Sequence, residues 1–119
     1  MARSVLVVDD DPAFRQLAGR LLTDAGLKVA GEAENAAKAL TAAAELRPDA
    51  ALVDVDLPDR SGIALAHELT RLPWRPRVVL TSVDAEAVHP EDVRHSGARA
   101  FVHKAELADG SLRQLLAGE

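Results

Sequence analysis

Val5-Leu6-Val7-Val8-Asp9-Asp10 is the stretch that decides the fold. An aliphatic run with no polar interruption reads as a strand buried on both faces, and two carboxylates stand where it ends. The same grammar recurs three times. Ala51-Leu52-Val53 runs into Asp54, Val78-Val79-Leu80 into Thr81-Ser82, and Ala100-Phe101-Val102-His103 into Lys104. In an open parallel sheet, ligands bind in the crevice outside the carboxyl ends of the strands. If these runs are neighbouring parallel strands, carboxylates, a hydroxyl and one ammonium converge there. Such a set suits a hard divalent cation and a phosphoryl group.

The segments between the runs read as helices. Phe14, Leu17, Ala18, Leu21, Leu22 and Ala25 recur at helical spacing, Pro12 suits a first-turn position and Gly26 a C-terminal cap. Leu27–Ala33 is a weaker second strand. Asn35 can cap a helix with apolar Ala36, Ala37, Leu40, Ala43 and Ala44, ended by Pro48. Ala50–Asp54 is the third strand, and Leu65, Ala66, Leu69 and Leu72 line a helix stopped by Pro73. Arg77–Thr81 is the fourth strand, Pro90–Ser96 a short helix ended by Gly97, Ala100–His103 the fifth strand, and Leu112, Leu115 and Leu116 mark a last helix. Five βα units in a row predict a parallel sheet with helices on both faces and right-handed crossovers. A closed eight-stranded barrel needs about twice this chain.

Composition narrows the function. At 119 residues the expectation is one domain, residues 1–119, without room for an effector module. The absence of cysteine excludes disulfides, thiol catalysis and cysteine-ligated metal. A net charge of −5, with no basic run and no interleaved aromatics, argues against direct nucleic-acid binding. The apolar runs fall far short of the ~20 residues of a membrane span. Met1-Ala2-Arg3-Ser4 leads straight into the first strand without a signal-peptide core. The expected location is the cytoplasm.

Each site residue also has a plainer explanation. Asp9-Asp10-Asp11 could simply favour a helix N-terminus, with Asp11 as the member that only caps. Yet three adjacent acids repel one another unless a cation is present. Asp9 and Asp10 can share one ion only where the strand dissolves into a loop, because neighbours on a strand face opposite ways. Magnesium takes such oxygen ligands. Asp54 could make an Asx turn, or act as a carboxylate nucleophile toward phosphorus. Thr81 and Lys104 could bond and neutralise a phosphoryl group. His67, His89, His95 and His103 show no paired ligand spacing for zinc. His103 should point away from Lys104, into the layer under a helix, and Trp74 should cover a loop edge.

These motifs together resemble the bacterial response-regulator receiver domain over essentially the whole chain. The matching residues are Val5-Leu6-Val7-Val8-Asp9-Asp10, Asp54-Val55-Asp56-Leu57-Pro58 with Gly62, Leu80-Thr81-Ser82, and Gly97-Ala98-Arg99-Ala100-Phe101-Val102-His103-Lys104. The resemblance implies a flavodoxin-like, doubly wound (βα)5 fold with strand order 2-1-3-4-5. It implies that Asp54 is the phosphoacceptor and that Asp9, Asp10, Asp54 and the backbone carbonyl of Asp56 bind Mg²⁺, or Mn²⁺ in its place. Thr81 and Lys104 would contact the phosphoryl group, and Thr81 and Phe101 would form the switch. The donor would be a sensor histidine kinase or a phosphotransfer protein. Output would pass to a downstream protein partner or a homodimer, with no membrane involvement. The chain would be no enzyme beyond catalysing its own phosphorylation and slow dephosphorylation.

Departures from the family pattern are informative. Ala105 follows the lysine where many receivers have proline, so the cis peptide usual there is not assumed; a non-proline cis bond costs about 3 kcal/mol. Phe101 replaces the frequent tyrosine and leaves a switch based on ring burial alone. Pro90 shortens the fourth helix. Asp56 and Val83 occupy positions that tune phosphoryl lifetime in the family, and they pull in different directions. Two competing readings are a degenerate receiver that binds partners without phosphorylation, and an aspartyl-phosphate phosphatase. The second resembles an Asp-x-Asp-x-Thr pattern, but here Pro58 holds the threonine position.

Overall fold

The computed structural model describes residues 3–118 except Ala85 and Ala87, with Asp109 described by its backbone alone. Met1 and Ala2, read above as a leaderless start, lie outside the described residues, as does Glu119. Five strands alternate with five helices: β1 Ser4–Val8, α1 Pro12–Asp24, β2 Lys28–Ala33, α2 Ala36–Leu46, β3 Ala50–Asp54, α3 Gly62–Leu69, β4 Arg77–Ser82, α4 Pro90–Ser96, β5 Ala100–His103 and α5 Leu112–Ala117. A 3-10 turn, Lys104–Asp109, joins the last strand to the last helix. All neighbouring strands are parallel, in the order β2-β1-β3-β4-β5.

Period-two alternation splits the aliphatic strands into two cores. Leu6, Val8, Ala51, Val53, Val78 and Leu80 pack with α2 and α3. Val5, Val7, Ala50, Leu52, Val79 and Val102 pack with Ala18 and Leu22 of α1 and Leu112 and Leu116 of α5. Burying one such Val or Leu is worth about 1.5–3 kcal/mol, so the central strands anchor the sheet. Alanine supplies the inward face of α2, through Ala36, Ala39 and Ala43, and thin side chains let that helix lie close to the sheet. At the edge, the β1–β2 register slips between Val5 and Leu6, in keeping with the weaker pattern of β2.

Four expectations are corrected. Leu17, placed on the apolar face of α1 by its spacing, is 46% exposed. The third helix ends at Leu69 rather than reaching Pro73. Thr70 closes it by donating its hydroxyl to the Ala66 carbonyl and to the Ser96 carbonyl of α4, at 2.8 and 2.9 Å. Leu72 still packs on the core from the following turn. The second strand starts at Lys28, because the Leu27 N–H is taken by the Leu22 carbonyl at the end of α1. The fourth strand extends one residue further, to Ser82, which pairs with His103.

The fourth helix is held unequally. Its C-terminal Gly97 takes a φ of +86° against Thr70, where a β-carbon would meet the Thr70 hydroxyl at 2.6 Å. His89, the residue that precedes the helix, makes no side-chain capping bond.

Candidate functional site

Strand parity gathers the site. Asp9 lies two residues beyond Val7, Asp54 two beyond Leu52, Thr81 two beyond Val79 and Lys104 two beyond Val102, all on the side of the sheet covered by α1 and α5. Asp54 is the register partner of Thr81, and Val8 that of Val53, so Asp9 follows β1 beside Asp54. Asp10 belongs to the other parity. It joins the group because β1 ends at Val8, as the loop argument requires.

Asp9 and Asp54 are oriented in the same way. Each accepts, at Oδ1, the backbone N–H two residues on: Asp11 at 2.9 Å for Asp9 and Asp56 at 3.0 Å for Asp54. These Asx turns leave each Oδ2 toward Lys104, whose Nζ lies 2.7 Å from Asp9 and 3.2 Å from Asp54. Burial pushes the Asp54 carboxyl above the usual carboxylate range. The Asp56 N–H opposes that, the Asp9 charge adds to it, and Lys104 offsets part. For Lys104, burial alone would depress the pKa. Pairing with Asp9 and the charge of Asp54 outweigh it and hold the ammonium above its ordinary value.

One buried polar atom here is left over. Among the described residues Thr81 Oγ1 makes no hydrogen bond, although buried side-chain oxygens normally find one, whereas Asp9 Oδ2 has the Lys104 ammonium as its ion-pair partner. Carboxylate oxygens of Asp9, Asp10 and Asp54 lie within 4.8 Å of one another. An all-oxygen set of three neighbouring carboxylates fits a hard divalent cation such as Mg²⁺. Asp56, exposed beside Asp54, accepts the Ser82 hydroxyl at 3.2 Å through its own carboxylate. Phe101 is half-buried on the opposite face, against the core beneath α3 and α4. Asp11 does cap α1, accepting the Ala13 N–H at 3.0 Å.

The surrounding loops hold these groups in place. Gly62 has its amide on the Val55 carbonyl, and a β-carbon there would collide with the backbone carbonyl of Asp54. Asp59 spans back to α2, where its two oxygens accept the Ala36 and Ala37 N–H groups at 2.9 and 3.0 Å. Asn35 accepts the Lys38 N–H, so Asp59 and Asn35 between them satisfy donors that a helix start leaves open.

Sequence reasoning missed three helpers. Arg15 donates to the Asp9 carbonyl at 2.6 Å and pairs with Glu32 at 2.9 Å, clamping the start of the acidic loop. The Phe14 ring lies 4.1 Å from Lys104 Nζ, within cation–π range. Helical spacing marks Phe14 only as apolar, and nothing in the pattern distinguishes Arg15 from a solvated arginine. The third is His103. It does not lie under a helix: its ring bonds the Val83 carbonyl and the Ala105 N–H in the loops at the strand ends. His67, His89 and His95 are exposed. Trp74 covers a loop edge as expected, donating to the Pro48 carbonyl with Arg47 stacked 4.5 Å from its ring.

A parallel five-stranded sheet with acids, a hydroxyl and a lysine at its carboxyl edge is an arrangement that known proteins share. Residues 5–117 match the family model of the response regulator receiver domain. The chain is 30% identical to the chemotaxis protein CheY of Bacillus subtilis, across 97% of this chain and 96% of that one. It is also 30% identical to CheY of Thermotoga maritima, across 87% of each. Among solved structures it is similar to the receiver domain of a NarL response regulator from Mycobacterium tuberculosis, with 29% identity and a TM-score of 0.76 over 93% of this chain and 94% of that one. A CheY-like receiver from Methylobacillus flagellatus shares the fold at a TM-score of 0.86, with 24% identity and full coverage of both chains. This chain belongs to the response-regulator receiver family. Among the described residues no helix is long and apolar enough to cross a membrane.

Proposed function

We propose that this receiver accepts a phosphoryl group on Asp54 in a Mg²⁺-dependent reaction and signals by a change of shape. The observation that carries the reading is the pair of Asx turns that present Asp9 and Asp54 to one ammonium beside an unpartnered Thr81 hydroxyl. A carboxylate oxygen of Asp54 attacks phosphorus, the P–N bond of a phosphohistidine breaks, and the departing imidazole keeps the electron pair and takes up a proton. Asp9, Asp10, Asp54 and the Asp56 carbonyl would hold Mg²⁺, which when bound neutralises charge on the phosphoryl oxygens. Lys104 pairs with the transferred group and Thr81 donates its hydroxyl to it.

Donation of the Thr81 hydroxyl would draw its loop inward, and Phe101 would bury more deeply in response. Phosphorylation then biases an equilibrium already present. The donor would be a histidine kinase or a phosphotransfer protein, and output would pass to a protein partner or a second copy. Beyond its own phosphorylation and dephosphorylation the domain turns over no substrate.

Intact-mass measurement with Mg²⁺ and acetyl phosphate tests the reading. The expected result is a gain of one phosphoryl mass that is absent in Asp54→Asn. An unchanged wild-type mass would refute it.

A further inference from the structure

We propose that His103 is a positioning residue that couples the loop following Thr81 to the turn carrying Lys104. The proposal rests on the phosphoryl-accepting reading of Asp54. His103 ends β5 opposite Ser82, the last residue of β4. Its Nδ1 accepts the Ala105 N–H at 3.0 Å, and its Nε2 lies 2.7 Å from the Val83 carbonyl. An Nδ1 that accepts carries no proton, so the neutral ring holds its proton on Nε2 and donates it to Val83. Both ring nitrogens are committed and one tautomer is fixed.

The bond to residue 105 requires an N–H, which proline lacks. Ala105 supplies it, and the histidine on one side of Lys104 thereby grips the amide on the other side. Its second bond reaches the residue that follows Thr81-Ser82. A shift of that loop therefore pulls on the ring, and the ring pulls on the turn that presents the ammonium. His103 stands on the opposite strand parity from Lys104 and is absent from the Asp9–Asp10–Asp54 cluster, so replacing it leaves the candidate metal ligands in place.

Time-resolved intact mass with acetyl phosphate and Mg²⁺ is compared across wild type, His103→Ala, His103→Asn and Ala105→Pro. Calorimetry of Mg²⁺ binding and ¹⁵N NMR of the His103 ring and the Val83 and Ala105 amides accompany it. We expect the Nε2–H tautomer in the wild type. His103→Ala and Ala105→Pro should slow phosphorylation roughly fivefold to tenfold, the worth of a lost hydrogen bond, with Mg²⁺ affinity unchanged. Asparagine can make the same acceptor bond two residues on. His103→Asn should therefore restore the Ala105 amide position but, without the link to Val83, only part of the lost rate, and full recovery in this variant would overturn the coupling. A His103→Ala protein that phosphorylates at the wild-type rate overturns the coupling alone, as does a rate loss matched by an equal loss of Mg²⁺ affinity. A wild type that gains no mass overturns the reading of Asp54, and the coupling with it.

Discussion

Lys104 Nζ lies 2.7 Å from Asp9 Oδ2, an ammonium set against a fully buried carboxylate. Asp54 stands 3.2 Å from the same nitrogen, so one cation makes two neighbouring acids tolerable. Lys104→Met keeps the bulk and removes the charge. Breaking a buried pair from one side costs about 3–5 kcal/mol. Because Lys104 retains some exposure, we expect about 2 kcal/mol without divalent cation and a smaller gap with saturating Mg²⁺. The raised lysine pKa fixes the pH sense: the difference is complete below the ordinary lysine value of about 10.4 and fades as the pH rises through the native value. Urea melts with and without Mg²⁺ decide it, and coincident curves would contradict the assignment.

Asp10 is exposed and makes no contact with Lys104 that would weaken the fold when lost. Asp10→Ala should leave metal-free stability within about 0.5 kcal/mol while lowering Mg²⁺ affinity at least tenfold by calorimetry. Emission from Trp74 is a poor probe of that titration. Its ring nitrogen bonds Pro48 ahead of β3, whereas Asp54 ends that strand. An unchanged calorimetric titration would remove Asp10 from the ligand set.

Asp59 should give a pH signature of its own. Its carboxyl is held below the usual range by the Ala36 and then the Ala37 N–H groups. A depressed native pKa stabilises above the unfolded value, near 3.9, and that contribution disappears as the pH falls through the native one. Wild type should therefore exceed Asp59→Asn in chemical denaturation at pH 6, with the gap shrinking as the pH falls below the ordinary carboxylate value. A constant gap across that range would show that charge is not the cause.

Gly62→Ala places a methyl group against the Asp54 carbonyl. Overpacking of this kind costs about 1–3 kcal/mol. It should also slow phosphorylation by displacing Asp54, a combined loss readable by urea denaturation and intact mass. A variant as stable and as fast as wild type would mean that the loop yields without effect.

The acids were legible because each closes an uninterrupted aliphatic run, and such runs have few structural alternatives. Asp9, Asp54, Thr81 and Lys104 followed from strand ends, and the structure adds that they share one strand parity. Phe14 and Arg15 did not, since a helix sequence gives a face but not what that face meets. His103 was assigned the correct parity and the wrong surroundings, because the strand stops there and alternation no longer governs the ring. The third helix was read too long because Leu72 keeps the apolar spacing, while the Thr70 hydroxyl that ends the helix bonds α4, a partner distant in sequence.

The unequal fastening of α4 has a mechanical consequence. Held by Thr70 at one end and without a side-chain cap at His89 at the other, the helix should tilt about its carboxyl end, its amino end travelling farther. Its amides should accordingly exchange with solvent fastest near Pro90 and slowest near Ser96. A protein that grips this edge would feel tilt rather than sliding.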